Sequence, residues 1–170
     1  MIGKHTDNLI IFGGINPKNS QVSMGGSTEH DVSAHFKKFG KMGKNMVSIS
    51  PQKDDSPKET RWLPILPGTD VALMLAIAYV LETEKLTDQN FLNKYCSGYE
   101  LFKTYFLGNN GHVAKTPEWA SEITGINASE IKKLARKMAL GRTIISVSWS
   151  LQRARYGEHP YWMACVLAAM

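Results

Sequence analysis

Residues 8–14 read Asn-Leu-Ile-Ile-Phe-Gly-Gly, a short run of branched and aromatic residues closed by two glycines. Such a run is typical of a strand that is buried on both faces and that stops at a turn. Strands of this kind belong to sheets covered by helices on both sides. Residues 8–14 therefore predict the first strand of an α/β fold.

A helix and a second strand follow. Val32, His35, Phe36 and Phe39 recur at helical spacing. This helix is predicted to begin with a hydroxyl cap at Ser27 or Thr28 and to end at Gly40 and Gly43. Met46–Ser50 is the second strand and is stopped by Pro51. Strand, helix and strand form a βαβ unit, which requires a parallel sheet.

The rest of the chain alternates in the same way. Residues 52–61 lack periodicity and predict an exposed loop, and Trp62–Pro67 is extended because prolines restrict the preceding residues. A uniformly apolar helix follows over 71–84, and Arg142–Trp149 is predicted as the third strand. Further helices are predicted over 88–95 with a Thr87 cap, 99–107, 117–124, 128–140 and 157–170. We expect one domain over 1–170: a three-layer, doubly wound, Rossmann-like α/β fold with a mainly parallel sheet and a helical insertion at about 85–140.

The composition excludes several classes of protein. The chain has 170 residues, of which 43% are hydrophobic and 21% charged, and these values fit one soluble globular domain. The net charge of +5 is dispersed and forms no basic stripe, so nucleic acid is not expected as a partner. Mild basicity also suits a phosphate-bearing cofactor. The apolar run 71–81 is too short to span a bilayer.

The two cysteines do not indicate a disulfide framework or a zinc site. Cys96 and Cys165 are far apart in the sequence, and Cys165 stands in an apolar run that predicts a buried thiol. The histidines lack partners at ligand spacing, and His30 and His35 do not share a helix face closely. The residue pattern alone therefore predicts no metal site.

Ligands of parallel sheets bind at the carboxyl ends of strands, where three loops of this chain lie. In the loop Gly13–Pro17 the glycines let backbone N–H groups approach a phosphate, but an ordinary strand-ending turn explains the same residues. Ser50, at the second strand end, can bond a hydroxyl but brings no charge.

Asp70 is the most informative of these residues. It lies in the first turn of the apolar helix, at the positive end of the helix dipole. Its carboxylate can accept two parallel hydrogen bonds from a planar donor pair such as the N1–H and amine of guanine, which adenine lacks. The spacing alone favours the simpler interpretation that Thr69 and Asp70 cap the helix.

A polar cluster follows the third predicted strand. Trp149, Gln152 and Arg153 place an apolar wall, an amide and a cation within five residues, which suits an oxygen-bearing substrate or a pyrophosphate. Three further residues of this segment are predicted to form a solvated surface group: Arg155, Glu158 and His159.

Several sequence blocks, taken in order, resemble the dimethyl sulfoxide reductase family of molybdenum enzymes, above all its trimethylamine-N-oxide and biotin sulfoxide reductase branch. The blocks are Phe12-Gly-Gly-Ile-Asn-Pro-Lys-Asn19, Val47-Ser-Ile-Ser-Pro51, Leu66-Pro-Gly-Thr-Asp-Val-Ala-Leu73, Ala114-Lys-Thr-Pro-Glu-Trp-Ala120, Trp149-Ser-Leu-Gln-Arg153 and Gly157-Glu-His-Pro-Tyr-Trp162. They cover almost the whole chain in the family's order, which makes the resemblance more specific than any single motif.

The resemblance implies a bis-molybdopterin guanine dinucleotide cofactor, whose molybdenum reduces S-oxides or N-oxides by oxygen-atom transfer. An electron donor protein and a small oxide substrate would be the partners. In the family, one α/β domain holds one of the two guanine dinucleotides, and this chain resembles that domain. The family's metal-ligand segment lies upstream of it and the later domains follow it, so the resemblance implies a fragment that is inactive alone. Relatives occur in the periplasm and in the cytoplasm, and the compartment stays open.

The resemblance also assigns candidate site residues. Those matching cofactor contacts are Gly14, Asn16, Ile49, Ser50, Gly68, Thr69, Asp70, Trp149, Ser150 and Arg153. Trp149 and Arg153 match residues that line the cofactor and substrate funnel, and they are the catalytic candidates. Ser50 stands where some relatives carry aspartate. No residue of the chain matches the family's metal ligand.

Two hypotheses of different classes result. The first is a cofactor-binding fragment of a molybdenum S-oxide or N-oxide reductase. The second is a stand-alone nucleotide-binding or interaction module without redox activity. Under either hypothesis, the apolar helix at 157–170 requires a covering layer, and we predict self-association through it.

Overall fold

Four parallel strands form one sheet at the centre of the molecule. The structure is a computed structural model, which describes residues 2–16, 18 and 31–170. The strands are β1 (Asn8–Phe12), β2 (Asn45–Ser50), β3 (Arg61–Pro64) and β4 (Thr143–Val147). Their order across the sheet is β3-β2-β1-β4, and every neighbouring pair is parallel. This order matches the first four positions of the classical dinucleotide-binding sheet, 3-2-1-4-5-6, and the predicted α/β class is confirmed.

Besides the strands, the described residues form helices and short 3-10 turns. They are α1 (Ile2–His5), α2 (Val32–Lys41), α3 (Asp70–Thr83), α4 (Gln89–Tyr95), α5 (Tyr99–Leu107), α6 (Pro117–Thr124), α7 (Ala128–Ala139) and α8 (His159–Ala169). The helical insertion between β3 and β4 thus comprises α4 to α7, as predicted. No helix among the described residues has the length and apolar character needed to cross a membrane.

Alternating side chains of β1 divide the molecule into three layers. Leu9 and Ile11 pack against Phe36 of α2 on one face. Ile10 and Phe12 point to the opposite face, where the larger core is built around α3. All five β1 residues are buried, as expected for a strand covered on both sides. The sheet therefore lies between two helical layers.

Helix α3 is the centre of the larger core. It packs against α5, α6, α7 and α8 and is buried along most of its length, including Leu73 and Ile77 at 0% exposure. An apolar helix without a polar face requires cover on several sides, which this surrounding supplies. The prediction made from its composition is confirmed.

The structure adds a strand that the sequence did not predict. Arg61 was expected to end a loop and residues 62–67 to be extended only, but residues 61–64 pair with β2 in the parallel register from Val47↔Arg61 to Ser50↔Pro64. Leu63 is buried while Arg61 and Pro64 are exposed, as in an edge strand. Proline is tolerated at an edge because one side of the strand needs no ladder donor.

Some local predictions need correction. The cap of α4 is Asp88 and not Thr87, because the Asp88 carboxylate accepts a hydrogen bond from the backbone N–H of Phe91 at 2.9 Å. The loop 52–61 contains a short 3-10 turn over Lys53–Asp55, and its Pro57 is buried. The cap predicted for α2 at Ser27 or Thr28 lies outside the described residues.

Cys165 is exposed, and the prediction of a buried thiol is wrong. Helix α8 is apolar on all sides, so its sequence does not show which face packs inward. Its buried residues are Pro160, Met163 and Leu167, which leave Cys165 on the opposite side. Both cysteines of the chain are free.

Candidate functional site

The carboxyl ends of β1 and β4 form a topological switch point. The chain leaves β1 toward α2 on one face of the sheet, and it leaves β4 toward α8 on the other. Loops that diverge in this way open a crevice between neighbouring strand ends, where parallel α/β sheets bind their ligands.

A cavity of about 530 Å³ lies at this position. Its wall combines the ends of β1, β2 and β4 with the start of α3. The lining residues that carry the argument below are Gly13, Asp55, Asp70, Ser150, Arg155 and Tyr156. The cavity therefore joins loops that are far apart in the sequence.

Two glycines allow the loop after β1 to approach its neighbouring loops closely. Gly13 and Gly14 both have positive φ angles, of 83° and 74°. A Cβ atom on Gly13 would lie 2.9 Å from the Cβ of Ser148, and one on Gly14 would lie 2.6 Å from the carbonyl oxygen of Asp55. Glycine is required here because the β1 loop touches both neighbouring loops.

Asn16, a predicted cofactor contact, is bonded to the neighbouring loop. Its side-chain N–H donates to a carboxylate oxygen of Asp55 at 2.9 Å, and its oxygen accepts from the backbone N–H of Lys18 at 2.9 Å. Ile15 also donates its backbone N–H to the Asp55 carbonyl at 2.8 Å. Asp55 in turn lines the cavity, so the structure connects Asn16 to the site through Asp55.

The end of β2 contributes differently from expectation. Ile49 and Ser50 are both 0% exposed, and the cavity is lined instead by the following residues, Pro51 and Gln52. The Ser50 hydroxyl donates to the carbonyl oxygen of Gln52 at 2.7 Å. This hydroxyl therefore stabilises the turn after β2.

The start of α3 lacks a side-chain capping hydrogen bond. Thr69 occupies the cap position, but its side chain accepts no capping hydrogen bond and instead donates to the Leu66 carbonyl at 2.6 Å. Asp70 is 4% exposed, and its Oδ1 is buried without a hydrogen-bond partner among the described residues. Gly68, beside it, is exposed and lines the same cavity.

The environment of Asp70 is unfavourable for an ionised group. Burial raises the pKa of the Asp70 carboxyl above its ordinary value, and a hydrogen bond from its own backbone opposes this shift in part. An acceptor that is buried without a partner costs free energy and calls for an explanation. Asp70 lines the cavity, so a donor from a ligand would satisfy it.

The residues after β4 separate into two groups. Ser150 lines the cavity with Asp70, whereas Trp149 is 61% exposed and lies outside the lining. Arg153 faces a second cavity of about 520 Å³, together with Gln152, Gly157, Glu158 and Tyr161. The structure thus brings Ser150, but not Trp149 or Arg153, to the wall that contains Asp70.

Sequence reasoning missed several lining residues. Arg155 and His159 are exposed, as predicted for a surface group, but both also line the cavity. Gln52, Asp55 and Tyr156 were not singled out. The available signal was that Gln52 and Asp55 lie in the loop after β2 and Tyr156 in the loop after β4, at the same sheet edge as the β1 loop.

No three His, Cys, Asp or Glu side chains come together as metal ligands within residues 2–16, 18 and 31–170. The cavity wall combines two acceptor-only groups, the carboxylates of Asp55 and Asp70, with the donor-only guanidinium of Arg155. This combination fits a polar organic ligand that carries both donors and negative charge.

The family model for molybdopterin oxidoreductases matches residues 4–170. The chain is 39% identical over 171 residues to biotin sulfoxide reductase of Cereibacter sphaeroides, covering 99% of this chain and 23% of that protein. It is 38% identical to trimethylamine-N-oxide reductase of Haemophilus influenzae, covering 97% of this chain and 20% of that protein.

Among solved structures, acetylene hydratase from Pelobacter acetylenicus has the same fold, with a TM-score of 0.76 at 23% identity over 99% of this chain and 22% of that one. The chain thus spans about a fifth of the length of its relatives. With a family model that matches nearly every residue, the chain belongs to the molybdopterin oxidoreductase family.

Proposed function

We propose that this chain is the part of a molybdenum-dependent S-oxide or N-oxide reductase that holds the guanine dinucleotide form of molybdopterin. The relatives named above reduce biotin sulfoxide and trimethylamine-N-oxide, as their names state. A small oxide substrate and an electron donor protein are the partners that this function requires.

The observation that carries the proposal is the unpaired Oδ1 of Asp70 in the cavity wall. A carboxylate accepts hydrogen bonds and, when ionised, donates none. Guanine offers two parallel donors on one edge, whereas adenine offers no such pair. A buried carboxylate with one unpaired oxygen therefore favours guanine, because binding satisfies an acceptor that is costly when left alone.

The other residues of the cavity support the same ligand. Gly13 and Gly14 bring backbone close to the strand ends, where a diphosphate would lie in a dinucleotide fold. Ser150 adds a hydroxyl to the wall that contains Asp70. When bound, the molybdenum of the cofactor supplies the redox chemistry of oxygen-atom transfer, and the residues of this chain bind and orient its nucleotide part.

Trp149 and Arg153 are proposed, from the family resemblance, to line the route of the substrate. Trp149 is 61% exposed and Arg153 borders the second cavity, so both side chains are available to a ligand or to another part of the enzyme. Neither supplies a redox centre. We expect no oxide reduction by the 170-residue chain alone.

Titration of the chain with GDP and ADP tests the nucleotide site. We expect GDP to bind more tightly than ADP, and Asp70→Asn to reduce GDP affinity about tenfold or more, since hydrogen bonds to a charged group are involved. Asp54→Asn is the matched control, because Asp54 is exposed and does not line the cavity. Equal affinity for GDP and ADP would contradict the proposed guanine site.

The activity needs a separate experiment. The 170 residues, joined to the segments that complete a reductase of the relatives' length, should contain molybdenum and reduce an S-oxide or N-oxide. Molybdenum content and oxide reduction are measured together. A complete protein with neither property would contradict the proposal.

One observation favours the second function, a nucleotide-binding or interaction module without redox activity. An apolar cavity of about 630 Å³ lies between α3, α5 and α8, and Trp162 at its edge is 70% exposed. Such a surface suits contact with another protein surface. A chain that binds no nucleotide but still associates through this surface would support the second function.

A further inference from the structure

The loop from β4 to α8 holds a tight turn at the mouth of the nucleotide cavity. The backbone N–H of Gly157 donates to the Ala154 carbonyl at 3.0 Å, and that of His159 donates to the Tyr156 carbonyl at 3.0 Å. Tyr156 has a φ of 60°, which is unfavourable for a residue with a bulky side chain. The backbone therefore holds this tyrosine in a strained position at the cavity wall.

Three side chains stack on this turn. The guanidinium of Arg155 lies 4.8 Å from the ring centroid of Tyr156 and donates a hydrogen bond to the Tyr156 hydroxyl at 3.0 Å. The imidazole of His159 is stacked on Tyr156, with ring centroids 5.3 Å apart and planes 6° apart. These contacts orient the Arg155 side chain, and all three residues line the cavity.

The charge of Arg155 is not balanced by an acidic side chain. The chain has five arginines, and three of them, Arg61, Arg136 and Arg142, form ion pairs with carboxylates. Within the described part of the chain, Arg153 and Arg155 form none. These two face different cavities, and only Arg155 shares a cavity with Asp70.

We propose that Arg155 is the anion-binding residue of this cavity and binds the diphosphate of a nucleotide whose guanine lies at Asp70. This inference rests on the proposed function and adds a residue that the family resemblance did not assign. Asp70 can only accept hydrogen bonds when ionised, and Arg155 can only donate them. The two groups therefore match opposite ends of one guanine nucleotide.

The stacked side chains of Arg155, Tyr156 and His159 favour an anion, and not an additional aromatic ring, as the ligand of this cavity wall. The ring of Tyr156 is already in contact with a guanidinium and an imidazole. Arg155 has five N–H donors and uses one of its nitrogens on the Tyr156 hydroxyl, which leaves further donors for phosphate oxygens. A planar guanidinium in a fixed orientation suits paired phosphate oxygens.

Calorimetric titrations of the chain with guanosine, GMP, GDP and inorganic pyrophosphate test this assignment. We expect affinity to rise from guanosine to GDP, and Arg155→Met to reduce the affinity for GDP about tenfold or more while the affinity for guanosine stays unchanged. Arg155→Lys should give an intermediate affinity, because lysine keeps the charge without the planar pair of donors.

Arg142→Met is the matched control. Arg142 lies at the amino end of β4, away from the cavity, so its loss should leave the ratio of GDP to guanosine affinity unchanged. Circular dichroism of each variant shows whether the fold is kept. All the substituted arginines are exposed, so the fold is expected to survive.

The outcomes separate this inference from the proposed function. If GDP binds in an Asp70-dependent way but Arg155→Met leaves the ratio unchanged, the inference is overturned and the guanine site stands. If pyrophosphate binds through Arg155 but GDP and ADP bind equally, the anion-binding role of Arg155 is supported and the proposed guanine site is contradicted. If neither the nucleotides nor pyrophosphate bind, both are overturned.

Discussion

Asn16 donates a hydrogen bond from its side-chain amide to the carboxylate of Asp55 at 2.9 Å, across 39 positions of sequence. The bond joins the glycine loop after β1 to the turn after β2. The backbone N–H of Ile15 reinforces it by donating to the Asp55 carbonyl at 2.8 Å. Two walls of the cavity at the strand ends are therefore held together by a carboxylate that also lines it.

We expect Asp55→Ala to loosen the glycine loop. Loss of the side-chain hydrogen bond should lower the free energy of unfolding by about 1 kcal/mol and should weaken GDP binding. Urea denaturation and calorimetric titration measure the two effects. Asp54→Ala is the control, because Asp54 is an exposed neighbour outside the cavity wall. Identical behaviour of the two variants would show that this bond does not position the loop.

Alanine at Gly14 tests the close approach of the same loops. Gly14 and Gly43 both have positive φ, but an added Cβ meets Asp55 at 2.6 Å only at Gly14, while at Gly43 nothing lies within 4 Å. Each substitution should cost about 1–2 kcal/mol for the left-handed backbone. Gly14→Ala should cost clearly more, because the clash adds to it. Equal losses in urea denaturation would contradict the observed contact.

Asp70→Asn should stabilise the chain in the absence of ligand. Folding raises the pKa of this buried carboxyl, so its favourable contribution is complete below the ordinary pKa of 3.8 and is lost as the pH rises through the raised pKa. At pH 7 the variant should be more stable by roughly 1 kcal/mol. The difference should vanish in acid.

Denaturation of both proteins across pH 3 to 8 measures this effect. A binding residue that destabilises the free protein is the expected pattern at a preformed site. If Asp70→Asn were less stable than the unmodified chain at neutral pH, the carboxylate would have a stabilising role in the fold itself.

Glu82 shows the opposite pH behaviour. Burial opposes its ionisation, but hydrogen bonds from Lys103 and Tyr99 outweigh this effect and hold the pKa of Glu82 below its ordinary value of 4.5. The stability that it contributes is therefore present above pH 4.5 and is lost as the pH falls through the lowered pKa. Glu82→Gln should cost about 1–3 kcal/mol at pH 7 and progressively less in acid.

The control for this substitution is Glu122→Gln, on an exposed position of α6. It should leave the free energy of unfolding almost unchanged at every pH. A cost of Glu82→Gln that does not depend on pH would mean that shape rather than charge is important at this position.

We expect the chain on its own to self-associate through α8. The surface combines Trp162, which is 70% exposed, with the apolar cavity against α3 and α5. Trp162→Glu should shift the protein to monomer in analytical ultracentrifugation. Leu140→Glu is the control, since Leu140 is 85% exposed but lies outside that cavity. A monomer at all concentrations would contradict this prediction.

Local sequence signals were sufficient for most of the secondary structure. Helix α6 has its predicted bounds because Thr116 caps it with a hydrogen bond to the N–H of Trp119 and proline occupies the first turn. Helix α5 also has its predicted bounds and lies between two glycines in the left-handed conformation, Gly98 and Gly108. These signals act between near neighbours, so they can be identified without the rest of the molecule.

Strand β3 could not be identified in this way. The strand has only four residues, contains proline and has one buried side chain, so it resembles any extended segment. These residues form a strand because they pair with β2, and each paired residue lies 14 positions away in the sequence. The exposed Cys165 has a similar cause, because a helix that is apolar all round can pack by any face.

The sequence by itself determined the α/β class, the alternation of strands and helices that makes the sheet parallel, and the family. These properties depend on periodicity and on the order of the sequence blocks. Only the tertiary structure shows that Asp70 is buried with an unpaired oxygen, and the proposed role in ligand binding rests on that finding. Capping and ligand binding use the same residue types at the start of a helix, and they differ in whether the carboxylate has a partner. The burial of Asp70, its unpaired oxygen and its shared cavity with Arg155 all arise from loops that meet only after folding.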